Sequence, residues 1–174
     1  MEIGLLVLRA VIGLLVAAHG AQKLLGWFGG HGLDGTAGFL ASIGYRPARP
    51  MALAAALGEL AGGALLATGL LTPLGVAAVM GVMLNAVAVH WRNGPWASNG
   101  GWELPFTYAA VAAGLGFTGP GRFSLDRALG WSLSGDGWGL VAAAVGTAAA
   151  LGILALKAWM RSSSGRAQPV GGTA

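Results

Sequence analysis

Residues 3–25, IGLLVLRAVIGLLVAAHGAQKLL, decide the fold. At ~1.5 Å per residue this stretch, wound as a helix, is long enough to cross ~30 Å of hydrocarbon. Arg9 apart, it is apolar until near its C-terminal end, where His19, Gln22 and Lys23 follow one another at i, i+3 and i+4. That spacing puts all three on one helix face. Polar groups at membrane depth are costly, so three together call for a partner or a task.

The remaining sequence is of the same kind. Of 174 residues, 55% are hydrophobic and only 9% charged, where a soluble domain carries about 25% charged residues. The shortage runs the whole length, with a mean hydropathy of +0.69. The fold class is therefore all-α, a polytopic membrane helix bundle whose first partner is the lipid bilayer. The 32 glycines suit close helix packing in lipid. The net charge of +4 does not indicate nucleic acid, because the basic residues stand singly beside hydrophobic spans and read as membrane-edge anchors. Without cysteine, disulfide, thiol redox and Cys-ligated metal or Fe–S chemistry are excluded within this chain. Met1-Glu2 lacks the basic n-region of a signal peptide and the first apolar run is longer than an h-region, so cleavage is not expected.

Four further spans follow, over residues 51–71, 74–89, 104–117 and 138–159. Pro47 and Pro50 introduce the second, and Thr72-Pro73 makes so tight a turn into the third that the two must be antiparallel neighbours. The fourth is short for a full crossing. The fifth is wholly apolar, bracketed by Trp138 and Trp159, with Lys157 and Arg161 at its exit. Two connections are too apolar for plain loops: 36–44 and 124–131 read as short interfacial helices, the second capped by Ser124. The organisation expected is a four-helix core over 1–131, an additional transmembrane helix over 132–160, and a disordered Ser/Gly/Pro-rich tail over 161–174. Ala54, Gly58 and Gly62, and likewise Ala142, Gly146 and Ala150, repeat at four residues. That is a packing signal.

Counting along the helices locates the polar groups. His19 lies ~9 Å and Glu59 ~12 Å, at helical rise, from the same membrane surface. Asn85 falls in that half too, and His90, Arg92, Asn93, Asn99 and Glu103 cluster at its mouth. Arg9 is the charge left in the opposite half. One polar pocket, open to one surface, is the expectation. Burial disfavours the charged forms of Glu59 and Lys23, and each supports the other. An imidazole beside them, titrating near neutrality, relays protons. His19 and Glu59 are thus the candidate catalytic groups, with Gln22, Lys23, Asn85, His90 and Glu103 as candidate ligand-binding groups. Such a set suits proton exchange with a quinol head group, or binding of a small polar solute. Trp27, Phe28, Trp91, Trp96 and Trp102 read as aromatic belt, with some walling the pocket mouth. His19 and His90 alone are too few to indicate haem or metal, and neither is expected.

The motifs resemble a known family. His19-Gly20-Ala21-Gln22-Lys23-Leu24 with Gly26-Trp27-Phe28-Gly29-Gly30 is similar to the opening signature of the DoxX family of small bacterial membrane proteins. Glu59-Leu60-Ala61-Gly62-Gly63 with Gly69-Leu70-Leu71-Thr72 resembles its second-helix motif. His90, Asn93-Gly94, the 99–105 run and the 119–126 run extend the resemblance over roughly residues 5 to 130. It implies a four-helix membrane bundle in the bacterial cytoplasmic (inner) membrane. One branch of the family resembles the quinone-linked subunit of an archaeal thiosulfate:quinone oxidoreductase, and some relatives are tied to redox-stress complexes. This chain departs in having a fifth span after Gly137. With no cysteine to handle sulfur, thiosulfate oxidation by this chain alone is not expected.

The reading that follows is a quinone-interacting subunit of a membrane oxidoreductase system, working with a separate redox subunit. The rivals are a small-solute or proton-coupled transporter, which needs a second opening past Arg9, and a non-catalytic scaffold subunit. A positive-inside count, with Lys23, Arg46, Arg49, Arg92, Lys157, Arg161 and Arg166 on the pocket side and Arg122 and Arg127 on the other, puts the pocket mouth and the C-terminus in the cytoplasm.

Overall fold

The structure, a computed structural model, describes residues 1–165. The described residues form seven α-helices: α1 (Glu2–Leu25), α2 (Gly32–Ser42), α3 (Ala48–Thr68), α4 (Thr72–His90), α5 (Glu103–Thr118), α6 (Leu125–Ala128) and α7 (Asp136–Gly165). Four of them, α1, α3, α4 and α7, are long and apolar enough to cross a membrane. The fourth expected span, α5, has 16 residues and rises ~24 Å, short of a full crossing as its sequence indicated. The chain is an all-α, multi-pass membrane bundle.

Backbone chemistry sets the helix ends. Gly26 and Gly69, both left-handed with φ of 74° and 64°, stop α1 and α3. Only two residues then separate Gly69 from α4, and Leu71 among them is itself left-handed at φ 45°. A leucine resists that conformation. Asp126, reaching in from α6, accepts hydrogen bonds from the Leu71 and Thr72 amides and the Thr72 hydroxyl at 2.7, 3.0 and 2.7 Å. So α6 is more than an interfacial element: it fastens the α3–α4 turn. Ser124 caps it as expected, its hydroxyl accepting from the Arg127 amide.

α4 is the central helix. Half of its most apolar stretch is buried inside the bundle, against 22% for α1 and α7. Val76, Val79, Met80 and Met83 pack with Leu66, Val16, Tyr108, Ala112 and Ala142 to form the core. The small-residue rows find separate partners. Gly58 and Gly62 of α3 receive Val82 and Val79 of α4, and Gly146 of α7 lies on Ala77 and Met80 of α4. Large apolar side chains such as Val7, Val11 and Leu14 of α1, and Leu140, Val145 and Leu151 of α7, face outward. Only lipid accepts such a surface over whole helices.

α7 runs to Gly165, so the first residues of the tail expected to be disordered from 161 are helical. The rest of that tail lies outside the described residues.

Candidate functional site

The site starts from the contact between α1 and α3. Gly13 and Gly20 of α1 meet the α3 backbone directly: a Cβ on Gly13 would stand 2.6 Å from the Gly63 carbonyl oxygen, and one on Gly20 2.7 Å from that of Ala56. One turn beyond Gly20, Lys23 is level with Glu59, and the two form an ion pair. The Glu59 side chain is 1% exposed and that of Lys23 33%. Glu59 Oε1 is the atom that meets Lys23; Oε2 has no hydrogen-bond partner among the described residues. A carboxylate oxygen buried in this way is expensive unless something comes to it.

His19 completes the group. Its Nδ1 lies 3.0 Å from Gln22 Oε1, and an amide oxygen only accepts, so Nδ1 carries the proton of that bond. The Gln22 amide nitrogen donates in turn to the Phe28 carbonyl at 3.1 Å. The ring of Tyr108 from α5 stands 5.9 Å from the imidazole. His19, Lys23, Glu59, Met83, His90 and Tyr108 line one cavity of about 310 Å³, whose remaining wall is the loop before α5, at Ala97, Gly100, Gly101, Leu104 and Pro105.

That loop is held in place by polar groups. His90 Nδ1 and the Asn93 amide donate to the Gly100 carbonyl at 2.8 and 3.0 Å. Glu103 accepts from the Ala97 amide at 2.9 Å. Trp102 stacks on Trp91 at 5.5 Å.

The predicted residues therefore divide. His19, Lys23, Glu59 and His90 meet at one cavity. Gln22 stands behind His19 and fixes its ring, and Glu103 fastens the loop; neither lines the cavity. Asn85 lines a second cavity of about 300 Å³ between α2, α3, α4 and α7, where it faces Tyr45 at 3.4 Å and donates to the Gly81 carbonyl at 3.1 Å. Trp27, Phe28, Trp91, Trp96 and Trp102 line neither cavity. A one-residue rotation of register along a helix is enough to turn a side chain to a different neighbour, which is why depth alone put Asn85 with Glu59.

Tyr108 is the cavity residue that counting charges passed over. The signal was there, since it is the single hydroxylated aromatic inside the apolar 104–117 run. Among the described residues no His/Asp/Glu group is arranged to hold a metal ion.

At the opposite end Arg9, 2% exposed, donates to the carbonyls of Ala67 and Phe123, with Asp126 as its nearby countercharge. Glu2 accepts from the Arg122 amide at 2.6 Å. These contacts close that end of the core.

The model of one family, DoxX, matches residues 4–91 of the 174. The chain belongs to the DoxX family. The DoxX match spans α1 to α4 and so contains His19, Lys23, Glu59, Asn85 and His90. Tyr108, Glu103 and α7 lie beyond it, so the resemblance read as far as residue 130 is matched through α4. No curated protein and no solved structure matches the chain.

Proposed function

We propose that this DoxX protein is a quinone-interacting subunit of a membrane oxidoreductase system in the bacterial inner membrane, and that the cavity at Glu59 receives the quinone head. The observation that carries the reading is the unpartnered Oε2 of a buried carboxylate on the wall of a cavity. A quinone ring presents carbonyl oxygens, which as quinol become hydroxyls, and the cavity has groups for both. Lys23 offers hydrogens to an oxygen that accepts, and Glu59 Oε2 takes one from a hydroxyl that donates. A quinone carries two electrons and two protons between partners.

The residues of this chain serve the protons. Glu59 exchanges one at Oε2, with Lys23 offsetting the charge left on the carboxylate. His19, its Nδ1 fixed by Gln22, exchanges the other at Nε2. Met83, Leu104 and Pro105 keep the remaining wall apolar, as a flat ring requires. The electrons pass to or from a separate redox subunit.

The same ion pair also joins α1 to α3, which favours a scaffold as the second reading. Transport has less support, because the half around Arg9 is closed by buried hydrogen bonds.

Binding of a short-chain benzoquinone to the purified protein, followed by quenching of tryptophan fluorescence, tests the proposal. Saturable binding lost in Glu59→Gln, with unchanged helix content, supports it. Absence of binding in the native chain, together with loss of thermal stability in Glu59→Gln, establishes the scaffold instead.

A further inference from the structure

The second cavity adjoins the first and shares Lys23 and His90 with it, but Glu59, His19 and Tyr108 do not line it. It is mostly apolar, holds about 300 Å³, and is walled by α3 and α4 on one side and by α7 on the other. Ala54 of α3 and Ala149 of α7 both line it and both are exposed, so it opens between those helices toward the lipid.

The wall formed by α7 continues toward the surface as a row of one residue per turn: Ala149, Ile153, Lys157, Arg161. The first two line the cavity. Lys157 then lies over the ring of Tyr45 at 4.1 Å, and Tyr45 is itself a cavity residue. Arg161 follows beside Gly44, where a Cβ would stand 3.5 Å from its side chain. The two cations stand one helical turn apart on the same face of α7. Neither has an acidic partner among the described residues. A pair of like charges at the rim of an apolar chamber has the chemistry to suit an anion carrying a chain.

We propose that this chamber binds an anionic phospholipid, one acyl chain lying along Ala149 and Ile153 and the phosphate resting between Lys157 and Arg161. Basic pockets between membrane helices recognise anionic head groups in this way. The extra helix α7 thereby acquires a role, since it supplies both the inner wall and the charges.

Native mass spectrometry of the full chain, titrated with dioleoyl phosphatidylglycerol and dioleoyl phosphatidylcholine, tests the proposal. Phosphatidylglycerol is expected to bind about 25-fold more tightly, about fivefold for each cation. The double variant Lys157→Gln/Arg161→Gln should bring that ratio to about one, leaving phosphatidylcholine unchanged. Ala149→Phe, which fills the chamber from an exposed position, should weaken both lipids and preserve their ratio. Equal binding of the two lipids by the native chain overturns the proposal, as does a ratio the double variant leaves intact. Glycerol 3-phosphate binding as tightly as phosphatidylglycerol would show an anion site with no chain. Displacement of phosphatidylglycerol by an equal amount of long-chain quinone would assign the chamber to the redox ligand instead.

Discussion

Gly20 of α1 and Ala56 of α3 touch backbone to backbone, with room for no Cβ between them. This contact sets the distance between the two helices at the turn that carries the ion pair.

Gly20→Val is accordingly expected to push α1 from α3. Overpacking costs about 1–3 kcal/mol, and here the obstruction is backbone, which cannot rotate away, so about 3 kcal/mol is the expectation. Thermal unfolding in detergent measures it. Gly4→Val, at an α1 glycine with open space around it, is the control and should be neutral.

Lys23→Gln and Glu59→Gln should differ. Removing Lys23 leaves an uncompensated carboxylate in the bundle, and breaking a buried pair costs about 3–5 kcal/mol. The exposure of Lys23 puts the expectation at the lower end. Glu59→Gln leaves instead a partly exposed ammonium that can reach water, and should cost less than half as much. Equal losses in the two variants would mean that Glu59 is neutral in the native protein.

Asp126→Ala removes three hydrogen bonds at the α3–α4 turn and uncovers the left-handed Leu71. Bonds to a charged acceptor contribute about 1.5–3 kcal/mol each, not additively, so a loss of about 3 kcal/mol is expected. Hydrogen exchange at the Leu71 and Thr72 amides should accelerate first, before any change at the Glu59 cavity.

Burial pushes the phenol of Tyr45, in the α2–α3 connection, above its ordinary value. A folded value higher than the unfolded one, about 10, gives a contribution that is complete below that pH and lost as pH rises through the folded value. The native chain should therefore lose thermal stability above about pH 10 more steeply than Tyr45→Phe.

Much of this protein was legible as a line of residues, because lipid leaves few choices. A run such as 3–25 without water must form a helix to satisfy its own backbone, and Thr72-Pro73 after Gly69 forces antiparallel neighbours. The convergence of His19, Lys23 and Glu59 was legible for the same reason, since rise per residue converts position into depth.

Depth, however, says nothing of direction around a helix axis. Asn85 stands at the level of the pocket and faces another cavity, while Tyr108, which no count of charges would select, faces His19. Which small-residue row meets which helix was equally undetermined, because glycine is compatible with any close neighbour and specifies none. Those choices belong to the tertiary structure: the packing of α1, α5 and α7 around the others fixes each helix's rotation, and rotation alone separates a cavity wall from a lipid-facing surface.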